Sequence, residues 1–415
     1  MKELEKVVLE NGLTIYLLND NSKHTTIANL IVNFGGLDTE VMIEGKRYNI
    51  KNGAAHFLEH LVLESSSYGD LMNIFGKNAI RSNGLTSLNN TRFYIDTVEN
   101  IYENLELLIK GIHSPIFDEK VIENIKKPIL EEKRTSLDNK YSNLYNANVN
   151  SLLNNKNFKS ILGDLKDIES IKLKDLKFCF NTFYKPTNEV IVIIGRFDRD
   201  NIIKVIEETY NSLSFNNDYV EKIVRPFKKK INKKKSVVKG NTNIGRTVIS
   251  FKLDTIDLTS YDKLMLDLYL FSFLKMNFGV MSKLNKSMIK DNIIVGNIQF
   301  SSSILEGYHI VRIEANTNYS KIFEKEIIDF VLNKKYVFSK DLFELYKKGY
   351  IVELISRNDN LYTILEPLIE NIITFKYEAL DEVKDIENMS FEAFIAKIES
   401  LNFNNYTITK LESLK

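Results

Sequence analysis

Residues 54–64 read AAHFLEHLVLE, and the pattern inside them, His56-x-x-Glu59-His60, decides how the rest of the chain is read. On an α-helix, residues four apart stand one turn from each other on one face. His56 and His60 can therefore present both imidazoles to a single ion. Glu59, three residues after His56, shares that side. The order H-x-x-E-H is the reverse of the H-E-x-x-H zinc motif and is itself a zinc signature. The competing reading is a helix that merely carries two histidines beside an ordinary acid.

Composition narrows the setting. The chain has 415 residues, 44% hydrophobic and 27% charged, with a net charge of +1. That length holds two or more cores, and the balanced charge gives no argument for nucleic acid or an anionic membrane as partner. The single cysteine, Cys179, excludes an intramolecular disulfide and a cysteine-clustered metal site. The N-terminal segment lacks the continuous apolar core of a signal peptide. No apolar run is read as approaching the roughly 18 residues that span a bilayer. The expected location is the cytoplasm, with no membrane partner.

Outward from the motif, Asn11-Gly12 predicts a hairpin over 6–18, and 25–35 a further strand. After the motif helix come a short helix near 70–76, a strand at 91–98 and a helix at 101–112. Residues 118–139 are helical, with Asp118 as cap and Pro128 expected to kink the helix or to start a second one. A buried strand at 186–198 leads into a helix at 198–213. The basic stretch RPFKKKINKKKSVVK, 225–239, reads as a solvated linker. Beyond it the series restarts: strand 245–253, helix 258–278, strands near 293–302 and 307–316, helices, and a last strand at 405–412. Element order thus predicts an α+β protein of two related domains, 1–224 and 240–415, although no repeat is visible in the residues themselves.

Catalytic zinc takes three protein ligands and keeps one position open. His24 and His309 lie in unrelated contexts and His113 follows a helix end, so a carboxylate is the expected third ligand. The 118–139 helix offers Glu119, Glu123, Glu131 and Glu132. Glu131 and Glu132 point about 100° apart, so only one of them can face the ion, and helical geometry alone does not choose.

The stretches NGLTIYL (11–17), GAAHFLEHLVLE (53–64), SNGLTS (82–87), PILEEKRTSLDN (128–139) and YKPTNEVIVIIGRFD (184–198) occur in the order and spacing of the pitrilysin–insulinase peptidases, which the chain resembles. That family includes the mitochondrial processing peptidase and short bacterial relatives. The resemblance covers most of 8–210 and weakens over 240–415, where FGVMSKLNKSMIKDNII (278–294) carries it. It implies two homologous domains, each a mostly antiparallel sheet packed with helices, forming one half of a clamshell. It also implies one Zn2+ per chain held by His56, His60 and Glu132, leaving Glu131 exposed. Glu59 would accept a proton from the attacking water and pass it to the leaving amine. A supporting family acid lies about seven residues before the zinc glutamate; here Ile125 stands there, with Glu123 nearby as a weak substitute.

The resemblance further implies that a peptide substrate binds as an added strand, with Asn83 and Gly84 contacting its backbone. Catalytic relatives carry an arginine and a tyrosine in the C-terminal domain that grip the substrate and the oxyanion, the zinc of one half facing the pair of the other. Ile289 and Gly296 occupy those positions here, with Lys286 and Lys290 close by as poor replacements. The expected function is a zinc endopeptidase acting on short unfolded peptides or a peptide precursor inside a closed chamber. A second, homologous subunit would supply the missing arginine–tyrosine pair. The alternative is a non-catalytic or assembly subunit of such a complex. A nucleic-acid role for the 225–239 lysines has no aromatic or motif support.

Overall fold

The computed structural model describes residues 4–153, 158–215, 220–221, 229–357, 359–375 and 382–414. The chain packs as two units, 1–135 with 156–225, and 136–155 with 226–415. In chain order the strands are β1 (Glu5–Val8), β2 (Thr14–Asn19), β3 (Thr26–Val32), β4 (Glu40–Ile43), β5 (Lys46–Asn49), β6 (Arg81–Thr86), β7 (Thr91–Thr97), β8 (Glu189–Gly195), β9 (Val220–Glu221), β10 (Lys235–Gly240), β11 (Arg246–Leu253), β12 (Val295–Leu305), β13 (Tyr308–Asn316) and β14 (Tyr406–Ser413). The helices are α1 (Ala54–Glu64), α2 (Leu71–Lys77), α3 (Ile101–Ile112), α4 (Glu119–Asp138), α5 (Lys140–Leu153), α6 (Leu165–Ser170), α7 (Leu173–Phe183), α8 (Arg199–Asn211), α9 (Ser260–Phe278), α10 (Lys283–Lys290), α11 (Ser320–Leu332), α12 (Lys340–Arg357), α13 (Leu361–Glu370), α14 (Glu382–Glu387) and α15 (Phe391–Ser400).

The first unit's main sheet runs β1-β2-β8-β3-β7-β6, and the second's runs β10-β14-β11-β13-β12. Apart from β1, each places its strands first, fifth, second, fourth and third in chain order. In both, the first–fifth pair is parallel and the remaining pairs are antiparallel. The two domains therefore share one topology, the α+β architecture expected from element order. The expected hairpin is present: β1 pairs with β2 around Asn11-Gly12, and Gly12 supplies the positive φ of 86° that the turn requires.

Several expectations are corrected. The β4–β5 hairpin and helices α5 to α7 gave no separate signal in the residue pattern. Pro128 lies inside α4, which runs as one element. Of the stretch read as a linker, Lys235–Lys239 belong to β10, hydrogen-bonded to β14, while 225–228 lie outside the described residues. Helix α9, in the stretch Ser260–Lys290, is long and apolar enough to cross a bilayer by length and composition alone. Ten of its residues, among them Leu266, Leu270, Phe273 and Phe278, are buried in the second unit, which accounts for the apolar run.

In the first unit α1 is almost wholly buried between the sheet and its neighbours, with Phe57, Leu58, Leu61 and Val62 in the core. His60 and Glu64 are the residues of α1 left least covered. Gly53 caps its start at φ 83°; a Cβ there would lie 2.4 Å from the Leu162 carbonyl oxygen, so a side chain is excluded.

Candidate metal centre

Helix α1 aims His56 and His60 at the same point, their ring centroids 4.8 Å apart and their planes at 77°. Glu132, on α4, completes the group. Its Oε2 lies 3.4 Å from His56 Nε2 and 3.5 Å from His60 Nε2, and all three ligand atoms fall within 4.8 Å of one another. Ligand atoms about 2.1 Å from a tetrahedral ion stand roughly 3.4 Å apart, so the donor types and the two carboxylate distances fit a divalent cation such as zinc. Among the described residues this is the only such group.

The structure thereby separates Glu132 from Glu131. Glu131 points outward and pairs with Arg134 on the exposed side of α4. Glu123 is not brought to the group: nine residues before Glu132 it lies half a turn out of phase and about 13 Å along the helix. It is exposed and pairs with Lys126 at 2.5 Å. Ile125 shares the phase of Glu132 but is buried in the core, so an apolar contact occupies that position. His113 is committed to Glu189 and His309 to Thr255 and the Lys263 carbonyl; His24 is exposed.

Electrostatics support the same reading. Burial pushes His56 down to about 4 against the pull of Glu132. Burial also opposes protonation of His60, but the carboxylates of Glu132 and Glu64 outweigh it and raise His60 to about 9. The hydrogen bond from His60 and the nearby His56 hold Glu132 below its ordinary value despite partial burial. One proton held between two imidazoles and a carboxylate is what a bound cation would replace. His60 Nδ1 lies 2.6 Å from Glu64 Oε1, which fixes the ring with Nε2 toward the group. Glu64 was not singled out in the sequence, although its i+4 spacing from His60 announces it. His56 Nδ1 is buried without a hydrogen-bond partner, so only one of the two rings has such support.

Glu59 is buried beside this group. Its Oε2 accepts a hydrogen bond of 2.5 Å from Thr86 Oγ1, on the edge strand β6. Burial raises the Glu59 carboxyl above its ordinary value, and the Thr86 hydroxyl partly offsets this. Its other oxygen lies against Gly84: a Cβ at that residue would meet Glu59 Oε1 at 2.7 Å. Gly84 therefore makes room for the acid, a role that reading SNGLTS as a substrate contact did not contain. Asn83, its neighbour, is exposed on the edge strand. Next to Glu132 on α4, buried Lys133 donates to Ser160 Oγ at 3.1 Å. The same 158–163 segment packs Leu162 against Gly53 at the start of α1, so it touches both ligand-bearing helices. In the second unit Ile289 is partly exposed on α10, Gly296 stands in open space at the start of β12, and Lys286 and Lys290 are exposed.

Residues 16–163 match the model of the insulinase family, peptidase family M16, and residues 170–350 match the model described as the peptidase M16 inactive domain. The chain is 24% identical over 404 residues to a zinc protease of Bacillus subtilis, YmfH, covering 94% of this chain and 93% of that one. It is 26% identical over 212 residues to the mitochondrial-processing peptidase subunit beta of Saccharomyces cerevisiae, covering 49% of this chain and 43% of that one. In fold it is similar to an M16-like peptidase from Alicyclobacillus acidocaldarius, with a TM-score of 0.88 at 19% identity over 99% of this chain and 98% of that one. A protease from Helicobacter pylori is likewise similar, with a TM-score of 0.82 at 19% identity over 99% and 100%.

Proposed function

The chain belongs to the insulinase family of peptidases, M16, and from that premise and the His56–His60–Glu132 group we propose that it is a zinc-dependent endopeptidase cleaving short unfolded peptides or a peptide precursor. The observation that carries the proposal is the convergence of three ligand atoms from two helices beside the buried carboxyl of Glu59. In this reading His56, His60 and Glu132 hold the ion. Bound zinc lowers the pKa of a water molecule and polarises the scissile carbonyl.

The chain's own residues do the rest. Glu59, its pKa raised by burial, takes the proton of the attacking water and delivers it to the leaving amine. Thr86 holds Glu59 Oε2, and in this reading Oε1 is the oxygen that exchanges the proton. The bare Gly84 lets a peptide backbone run close to that oxygen along β6. There an added strand would be bound by main-chain hydrogen bonds, with little dependence on side chains, and Asn83 would contact it.

The second part of the proposal is a heterodimer. Ile289 and Gly296 have no side-chain donor with which to stabilise an oxyanion, so a homologous subunit would supply the arginine and tyrosine and close the chamber. The word "subunit" in the name of the yeast relative supports such an assembly for that protein. The test is metal analysis with cleavage of a quenched fluorescent peptide, for the chain alone and with its copurifying partner. Expected are one zinc per chain and cleavage that Glu59→Gln abolishes while zinc is retained. Zinc without cleavage, even with the partner present, would instead favour an assembly subunit. Full activity of the isolated chain would contradict the heterodimer.

A further inference from the structure

The second unit's sheet has two chemically different faces. Alternation along β11 sends Ile249, Phe251 and Leu253 into the core and Arg246, Val248 and Ser250 to the opposite side. On β13, Val311, Ile313 and Ala315 are core, so Arg312 and Glu314 share the outer face. Helix α5 lies on that face, and its Asn148 accepts from Ser250 Oγ and donates to Thr409 Oγ1. Tyr141 and Tyr145, one turn apart on α5, are 50% and 44% exposed, and with the sheet they wall a cavity of about 320 Å³. Its floor is apolar, built from Leu144 and Val248.

Charge in this pocket is not balanced. Arg246 donates from Nε to Glu314 at 2.9 Å and from Nη1 to Asn316 at 3.2 Å, so it uses the pocket's one carboxylate. Arg312 has no carboxylate within ion-pair distance among the described residues. It lies over the Tyr145 ring, its Cζ 5.7 Å from the centroid. Arg246 stands 5.8 Å from Tyr141 in the same manner. Arg246 also donates from Nη2 to Gln299, so its fork is spent, whereas the half-buried Arg312 guanidinium, beside a ring and over an apolar floor, keeps its forked donors available. A planar carboxylate is the group that matches them.

We infer that this pocket binds a carboxylate attached to an apolar or aromatic residue. The volume, at the lower end for ligand sites, takes one or two residues rather than a folded partner. That the ligand is a peptide rests on the peptidase reading; that it is a carboxylate does not. An acidic side chain and a C-terminal carboxylate offer the same chemistry.

Calorimetric titration of the full chain carrying Glu59→Gln, so that peptides are bound and not cut, distinguishes these sources. The probes are acetyl-Gly-Leu-Phe with a free C-terminus, its C-terminal amide, and the amide of acetyl-Gly-Glu-Phe. At least one acidic probe is expected to bind about tenfold or more tighter than the neutral amide, the factor for one charge-assisted hydrogen bond. Adding Arg312→Gln is expected to abolish that preference, and whichever acidic probe carries it identifies the source. Equal binding of the three probes, no binding of either acid at millimolar concentration, or a preference that survives Arg312→Gln would overturn the inference. The acid-against-amide comparison needs no pocket variant, so misfolding of Arg312→Gln would not blunt it. Because the readout is binding, inactivity of the chain toward every peptide would count against the peptidase reading and leave the carboxylate site standing.

Discussion

Gly84→Ala probes the link between the edge strand and the acid it faces. The added Cβ would stand 2.7 Å from Glu59 Oε1, 2.8 Å from Glu59 Cγ and 2.7 Å from Leu63 Cδ1. Ordinary contacts need about 3.4 Å or more, so something must move by roughly 0.7 Å. Leu63 is 5% exposed and part of the core cluster, whereas the Glu59 carboxylate is the far end of a flexible side chain. The carboxylate is therefore the part that gives, and its bond to Thr86 lengthens. Overpacking costs about 1–3 kcal/mol and alanine in a strand recovers about 0.5–1 kcal/mol, a net loss of about 1–2 kcal/mol. For a domain of this size that lowers Tm by about 2–8 °C. Displacement of a catalytic group by about 1 Å costs roughly a hundredfold in rate. The assay is kcat/KM on a quenched peptide, with zinc content and thermal melting measured in parallel. The expected result is a large loss of turnover with zinc retained and a small loss of stability. Near-wild-type turnover would refute the reasoning, and so would a loss of zinc that matches the loss of activity.

Glu132→Gln should strip zinc from the protein, while Glu131→Gln leaves both zinc and turnover near wild type; metal analysis after dialysis distinguishes them. Buried His113 has both ring nitrogens on acceptors, Ile109 O at 2.7 Å and Glu189 Oε1 at 2.9 Å, and the pull of Glu189 overcomes burial and raises its pKa. Its contribution is thus full below the unfolded value of about 6.5 and is lost as pH rises through the raised native value; urea unfolding from pH 5 to 9 should show this slope, reduced in His113→Gln. Burial lowers His309 to about 4, so the native state refuses a proton that the unfolded chain accepts. Stability should therefore fall by about 3 kcal/mol as pH drops from about 6.5 to about 4, and His309→Gln should flatten that limb of the unfolding curve.

What could be read from the sequence follows the range of the interactions. The His56–Glu59–His60 face is an i, i+3, i+4 matter and is visible in eleven residues. So is the β1–β2 turn at Asn11-Gly12. The choice of Glu132 over Glu131 depends on the rotation of α4 against α1, a tertiary quantity that helical periodicity does not contain. Gly84 and Thr86 meet Glu59 only because β6 packs on α1, some 25 residues along the chain, and no local pattern marks that meeting. The shared strand order of the two sheets is likewise hidden. It consists of pairings such as β2 with β8, whose partners lie far apart in the chain, while the residues filling corresponding positions have diverged. Helix α5 carries no local mark of its membership in the second unit; its burial against β10, β11 and β14 decides that.

The central claim is that one cation sits between α1 and α4. Anomalous diffraction recorded at the zinc absorption edge from crystals of the purified chain tests it most directly. The account expects a single strong peak about 2.1 Å from His56 Nε2, His60 Nε2 and a Glu132 carboxylate oxygen. A zinc-loaded protein whose peak lies elsewhere, or whose three side chains turn away from one another, would contradict it.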